Sequence, residues 1–296
     1  MNIPDRFSEY HVQEEIFSGY SFDQLFLVTK QSTKFLLRKL NRSISSIENE
    51  LTLMNLCSQA NLPTPTIRII HSEETSTWVL QDYIEGEQAE LGISFYDEKT
   101  QYKLGVQAGE IIRQIHALPL GNRYKHSSIQ QSKMLRHAEE IVPLMANEPF
   151  LTVCADYIRT HIHLLDQRPC VLQHGDYHLA NMIIHQGLCS VIDFNRCDIG
   201  DPYEEFVRAF YFSRDRSIPF VLGQLYGYFG STLPDDFFCI LKVYLADACL
   251  SAILWSMKHY PENVEEMRRF NSQVHQDFDE FKKDEPIWIH LLNRTK

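Results

Sequence analysis

The sequence predicts an α+β chain of two lobes, a small β-rich lobe with one main helix followed by a larger, mostly helical lobe. Three observations carry this. Before about residue 84, short apolar runs are parted by polar turns. Beyond about residue 85, apolar residues recur mostly at helical spacing. Residues 171–194 (VLQHGDYHLANMIIHQGLCSVIDF) interrupt that spacing with short apolar runs between polar loops.

In chain order, residues 24–28 (QLFLV) and 34–40 (KFLLRKL) read as strands joined by the polar turn KQST. Residues 44–56 place Ile44, Ile47, Leu51, Met54 and Leu56 near a helical period, with Ser43 as N-cap. The prolines of LPTP stop that helix. Residues 67–71 and 77–83 are two further strands, so the order is β-β-α-β-β. Glu85-Gly86-Glu87 reads as a connector, which divides the chain into lobes 1–84 and 85–296. Helices are expected at 102–118, 133–145, 151–165, 202–212, 219–229, 235–259 and 262–283. In the central interruption, MII and CSVIDF read as short strands, each with a loop before it.

Bulk properties exclude several classes. The 296 residues suffice for one large or two modest domains. With 44% hydrophobic and 23% charged residues, composition is ordinary for a globular protein. No apolar run is expected to reach the roughly 18 residues of a membrane span. The start MNIPDRFSEY lacks the plan of a signal peptide, so the chain reads as cytoplasmic with no membrane partner. Seven cysteines, an odd number without any CxxC, read as buried free thiols. A net charge of −11 argues against nucleic acid as a partner and is compatible with a cationic substrate. The sequence does not set the oligomeric state.

The chemistry concentrates in His174-Gly175-Asp176-Tyr177-His178-Leu179-Ala180-Asn181 and Val191-Ile192-Asp193-Phe194. Phosphoryl transfer needs an oriented acceptor hydroxyl, metal to screen phosphate charge, and a nucleotide held in line. A carboxylate can take the hydroxyl proton. A second carboxylate with an amide oxygen makes a hard donor set suited to Mg²⁺. Asp176, Asp193 and Asn181 supply these groups. Asn181 follows Asp176 by five positions, the spacing of the kinase pattern H-R-D-L-x-x-x-N. Asp193 ends an apolar strand twelve residues later. The pairs His161/His163 and His174/His178 have metal-like spacing, but zinc wants a third ligand and HGD is better explained by phosphotransfer.

HGDYHLAN, VIDF and GDPYEEF together resemble the aminoglycoside phosphotransferase and choline kinase family. Its pattern HGDxxxxN, IDxxxxxxGDPxxD is met at His174, Gly175, Asp176, Asn181, Asp193, Gly200, Asp201 and Pro202, with Glu205 in place of the usual aspartate. The resemblance covers roughly residues 15–215. It implies a two-lobed protein-kinase-like fold and ATP, or GTP, as co-substrate with Mg²⁺. Asp176 is then the catalytic base and Asn181 and Asp193 the metal ligands. His174 braces the loop, and Asp201 with Pro202 locks the segment after the metal site.

The donor side can be read against the same plan. Kinases pair a basic residue on the third strand with a glutamate on the next helix. Arg38 falls at that strand position, with Lys39 pointing away by alternation. Glu50 is the helix partner and Glu48 its competitor. There is no GxGxxG; Phe17-Ser18-Gly19-Tyr20-Ser21-Phe22-Asp23 stands there, with Gly19 and Ser21 able to meet phosphate. Gln81, Asp82 and Tyr83 resemble the family's hinge, whose backbone binds the adenine edge, with Val79 and Ile84 beside the base. Asp193-Phe194-Asn195 replaces Asp-Phe-Gly, and Asn195 suits a left-handed turn. His116 reads as a packing or capping residue.

The acceptor is expected to be a small-molecule hydroxyl. An aminoglycoside comes first, then choline or another amino alcohol, a sugar such as methylthioribose or fructosamine, and a macrolide. Asp247, Trp255, Glu265, Glu266, Asp277, Asp279 and Glu280 are the candidates that would favour an amine-rich acceptor if several converged on the cleft. The rival class is a nucleotide-binding regulatory protein without transfer. A protein kinase lacks support, since neither a Gly-rich loop nor an APE segment is present.

Overall fold

The computed structural model describes residues 3–16, 23–121 and 127–291. The small lobe is one antiparallel sheet of β1 (His11–Ile16), β2 (Gln24–Lys30), β3 (Thr33–Leu40), β4 (Ile67–Ser72) and β5 (Thr77–Asp82), in the order β1-β2-β3-β5-β4. Alternation along β3 sends Phe35 and Leu37 to one face, where Leu37 packs with Phe7, Phe26, Val28, Trp78 and Leu80. Leu40 faces the other way, with Val79, Ile47 and Leu51 of the helical segment beneath. That segment begins as a 3-10 turn, Ile44–Ile47, and continues as α1 (Glu48–Gln59). The two lobes together are the protein-kinase-like α+β architecture.

Three local expectations are corrected here. The first strand, β1, is absent from the predicted order. Its sequence HVQEEI is almost wholly exposed, so it carries no buried alternate face for a pattern to reveal. Ser43 makes no side-chain cap bond, and its hydroxyl meets Ser45 instead. The connector carries a strand of its own: β6 (Glu87–Gln88) pairs with β8 (Met182–His185). Gly86 lies at φ +138°, and a Cβ there would come within 2.4 Å of the Ile184 carbonyl.

The large lobe is built from α2 (Glu98–His116), α3 (Ser127–Glu140), α4 (Pro149–His161), α5 (Ile218–Phe229), α6 (Phe237–His259) and α7 (Val264–Phe278). Asp97 caps α2 through the Thr100 amide at 2.7 Å, and Ser217 caps α5 through the Phe220 amide at 3.0 Å. These two helices meet backbone to backbone. A Cβ on Gly105 would lie 2.1 Å from the Phe220 carbonyl, on Gly109 2.2 Å from that of Gln224, and on Gly223 2.1 Å from that of Tyr102.

Helix α6 overturns the expectation that no segment is apolar and long enough to span a membrane. It has the length, and a mean hydropathy of 1.9 over an 18-residue window, but 67% of that window is buried within the protein. The apolar surface packs in the main core, with Leu241, Leu245, Cys249 and Ile253 against Phe210, Tyr211 and Leu151. Its two buried charged residues have protein partners: Lys242 Nζ donates to the Lys283 carbonyl at 2.9 Å, and Asp247 Oδ1 meets His137 Nδ1 at 2.7 Å.

Residues 202–212 are not one α-helix. A 3-10 turn at Glu204–Phe206 is followed by a π-helical turn at Ala209–Ser213.

Candidate active site

A hairpin assembles the centre. Strand β8 pairs with β9 (Leu188–Val191) in a register that sets Met182 opposite Val191. The residues just outside this ladder, Asn181 and Ile192, therefore face one another, and the Ile192 amide donates to the Asn181 carbonyl at 3.0 Å. Asp193 follows directly. Asn181 Nδ2 donates to the Asp176 carbonyl at 2.8 Å and to Asp176 Oδ2 at 3.2 Å. Loop and hairpin thus bring Asp176, Asn181 and the start of the Asp193 turn together.

The loop has its own scaffold. Gly175 has φ +80°, and a Cβ there would fall 2.1 Å from the Arg196 carbonyl, so both backbone angle and close approach demand glycine. The buried carboxylate of Glu205 accepts from the amides of His174 at 2.8 Å and Gly175 at 2.9 Å. Behind it, His116 Nε2 lies 3.4 Å away while Nδ1 contacts the Tyr228 hydroxyl at 2.8 Å. His174 is fully buried, with Nε2 3.0 Å from the Ile192 carbonyl. Strand β7 (Val171–Gln173), which leads into the loop, pairs with β10 (Asp198–Gly200). Asp201 follows β10 and takes Arg168 through two contacts of 2.6 and 3.2 Å, the Tyr203 amide at 2.9 Å and the Tyr244 hydroxyl at 3.1 Å.

Basic side chains surround Asp176. Arg208 Nε lies 3.3 Å from Oδ1; His178 Nε2 and Arg196 Nε lie 3.6 and 3.9 Å from Oδ2. Burial pushes this carboxyl's pKa up, but His178, Arg208 and Arg196 outweigh it and hold it well below the usual carboxylate range. At 3.6 Å, His178 is a close neighbour of the carboxylate rather than a well-formed hydrogen-bond donor.

On the donor side, Arg38 Nη1 donates to Glu50 Oε1 at 2.5 Å, both side chains buried. Gln81 Oε1 is 3.4 Å from the same guanidinium nitrogen. Among the described residues Glu50 Oε2 has no hydrogen-bond partner; Arg42, which pairs with Asp23 at 2.9 Å, stands 3.8 Å away. Lys39 lies over the Trp78 ring on the opposite face, and Glu48 is exposed. Asp82 is engaged inside the sheet, with its amide on the Thr66 carbonyl at 3.0 Å and its carboxylate on Arg68 at 2.6 and 2.7 Å. Tyr83 carries Lys34 over its ring at 5.6 Å. Gly19 and Ser21 lie outside the described residues.

Three placements differ from the sequence reading or were missed by it. The left-handed residue in the turn is Asp193 itself, at φ +64°, and Asn195 is not among the residues with positive φ. The Asn195 amide instead points back to Asp193 Oδ1 at 3.4 Å. Arg208 and Arg196 carry no signal in a periodicity reading, since each pairs with Asp176 from a distant stretch of chain. Four of the acceptor candidates are engaged within the fold: Asp277 with Arg214 at 2.5 and 2.7 Å, Asp247 with His137 at 2.7 Å, Glu280 with Lys282 at 2.5 Å, and Glu265 with Arg268. His161 Nδ1 lies 3.1 Å from the Tyr157 carbonyl, and no cluster of three or more His, Cys, Asp or Glu suited to a metal occurs among the described residues.

A β-sheet lobe with a buried Arg–Glu pair, set beside a helical lobe whose loop groups Asp, Asn and Asp, defines the class: a phosphotransferase of the protein-kinase-like fold. The sequence profile of the phosphotransferase enzyme family (APH) matches residues 12–237, and the chain belongs to that family. No curated relative matches the sequence. Similar solved folds include the GDP complex of wild-type aminoglycoside 2'-phosphotransferase-IIIa, with 15% identity and a TM-score of 0.72 over 90% of this chain and 94% of that one. A thermostable mutant of APH(4)-Ia in ternary complex with ADP and hygromycin B matches at 15% identity and 0.68, over 91% and 95%. Amicoumacin kinase hAmiN, in complex with AMP-PNP, Ca²⁺ and Ami, matches at 16% identity and 0.69, over 97% and 95%. At these identities the likeness speaks for the fold.

Proposed function

We propose that the protein transfers the γ-phosphate of ATP, or of GTP, to a hydroxyl of a small molecule, with Asp176 as the base. The observation that carries this is the grouping of Asp176, Asn181 and Asp193 by one loop and one hairpin. Asp176 would orient the attacking hydroxyl and accept its proton, a role that typically contributes about 10²–10⁴-fold. Asn181 and Asp193 would hold Mg²⁺. They fit it as hard oxygen donors, and the Nδ2 bonds of Asn181 to Asp176 leave its amide oxygen to face a cation. When bound, the ion supplies charge neutralisation on the phosphates.

Arg38, held by Glu50 and Gln81, would meet the nucleotide phosphates, with Gly19 and Ser21 above them. Asp82 and Tyr83 would border the base. Residues 1–84 would then serve the donor and 85–296 the chemistry and acceptor, in a cytoplasmic enzyme. An aminoglycoside is the first acceptor to test, because neighbours of this fold are aminoglycoside kinases by name. Amino alcohols and sugars follow.

A coupled ADP-release screen with ATP and GTP over aminoglycosides, amino alcohols and sugars tests the reading. Turnover with any acceptor, or slow hydrolysis alone, excludes the silent regulatory protein. Asp176→Ala is expected to abolish transfer and keep nucleotide affinity. A loss of ATP affinity as large as that of Asp193→Ala would remove Asp176 from the role of base.

A further inference from the structure

The segment EEFVRAFYFSRD departs from α-helical geometry at one place. Directly after Arg208, residues Ala209–Ser213 form a π-helical turn. Such a turn takes in an extra residue and re-aims the side chains around it, and π-turns are frequent at functional sites. Here the turn and its first neighbour reach the catalytic loop at three points. Ser213 Oγ, buried, accepts the Leu179 amide at 3.0 Å. Phe212 lies 5.2 Å, ring to ring, from His178. Arg208, whose guanidinium lies 5.7 Å from the Phe212 ring, reaches Asp176 Oδ1 at 3.3 Å.

The two oxygens of Asp176 are therefore held from different elements. Asn181, on the loop itself, donates to Oδ2, which His178 and Arg196 also approach at 3.6 and 3.9 Å; Arg208, the residue just before the π-turn, lies 3.3 Å from Oδ1. We propose that Arg208 is a positioning residue for phosphoryl transfer, fixing the carboxylate of Asp176 in the orientation that meets the acceptor hydroxyl, with the π-turn as the device that aims it. This rests on the kinase reading above. Arg208 acts through Asp176 and needs no contact with substrate. Positioning of this kind governs rate rather than nucleotide binding, since a displacement of about 1 Å in a reacting group costs on the order of 10²-fold.

The test compares Arg208→Gln and Arg208→Lys with the native enzyme. ADP release is followed with Mg²⁺ and ATP, using the acceptor from the screen and, in parallel, water alone. A fluorescent ADP analogue reports nucleotide affinity, and thermal unfolding reports integrity. Arg208→Gln is expected to lower kcat by about 10²-fold, with the KM for ATP, the analogue affinity and the unfolding midpoint as in the native protein. Arg208→Lys, which keeps the charge without the planar fork, is expected to recover about tenfold of the loss. Unchanged kcat overturns the proposal. So does an equal loss of nucleotide affinity, which would place Arg208 on phosphate, or a lowered midpoint that accounts for the loss. A crystal structure of Arg208→Gln with Asp176 in its native orientation overturns it without reference to turnover. A native protein that neither binds nucleotide nor releases ADP overturns the kinase reading instead, and the crystal structure still decides what orients Asp176.

Discussion

Arg38 and Glu50 illustrate what a single buried charge pair commits a chain to. Each is nearly sealed from solvent, so removing one takes from the other its one close charged partner among the described residues. Arg38→Ala is expected to cost about 3–5 kcal/mol of folding stability, and chemical denaturation against Arg38→Lys would measure it. Glu205 is a second such commitment. It holds two backbone amides of the HGD loop at once, whereas a glutamine presents only one oxygen. Glu205→Gln should lose about 1–3 kcal/mol, read from the shift in urea midpoint. For Asp176 the sign of the pH effect is set by its lowered pKa. Its contribution is complete above the unfolded carboxyl value of about 3.9 and drains as pH falls below that, toward the lower folded value. Urea titrations of the native protein and Asp176→Asn should therefore show no difference in pH slope between about pH 5 and 8 arising from this group.

At the scale of elements, the contact of α2 with α5 is the most exacting. Gly109→Ala or Gly223→Ala would force a methyl onto a backbone carbonyl or amide of the other helix. Overpacking of this kind costs about 1–3 kcal/mol, while Lys103→Ala on the exposed side of α2 should stay within about 0.5 kcal/mol; thermal melts of the three variants separate the cases. None of this was legible in periodicity, because a glycine within a helical pattern reads only as a weak position. The same limit explains β1, whose polar residues bury no face, and Arg208, whose partner lies far along the chain. What was legible had local cause. Alternation along KFLLRKL turned Arg38 toward the helix and Lys39 away, and Glu50 followed from its place beside Leu53 and Met54. The proximity of Asp176, Asn181 and the Asp193 turn could be read from the sequence because their spacing is set by one loop and one hairpin. The positive φ of Asp193 could not, since the turn could equally have placed it on the asparagine two residues on.

For the molecule as a whole, the seven cysteines give a map of accessibility. Cys57, Cys154, Cys189 and Cys249 are buried, and burial pushes the thiols of Cys57 and Cys189 up to about 12. Cys170, Cys197 and Cys239 are partly exposed. A maleimide or iodoacetamide applied to the native protein should modify only the latter three, and mass spectrometry after denaturation should find the other four unmodified until then. Labelling of Cys249 in the native state would contradict the packing of α6 in the core, and with it the reading of that apolar helix as an interior element.

The seam between α2 and α5 has an evolutionary side as well. Packed helices usually drift in sequence by exchange, one side chain growing as its neighbour shrinks. Where main chain rests on main chain there is nothing to exchange, so these glycines can vary only if the helices part. Helix α2 begins shortly after the connector from the small lobe, and α5 shortly after the π-turn that follows Arg208. Their junction is thus a fixed datum between the two lobes' meeting point and the loop that holds Asp176. A deep mutational scan scored for folding should show the glycine seam rejecting even alanine, whereas core positions on helices α3, α4 and α7, which pack by side chain, should accept other apolar residues of similar size.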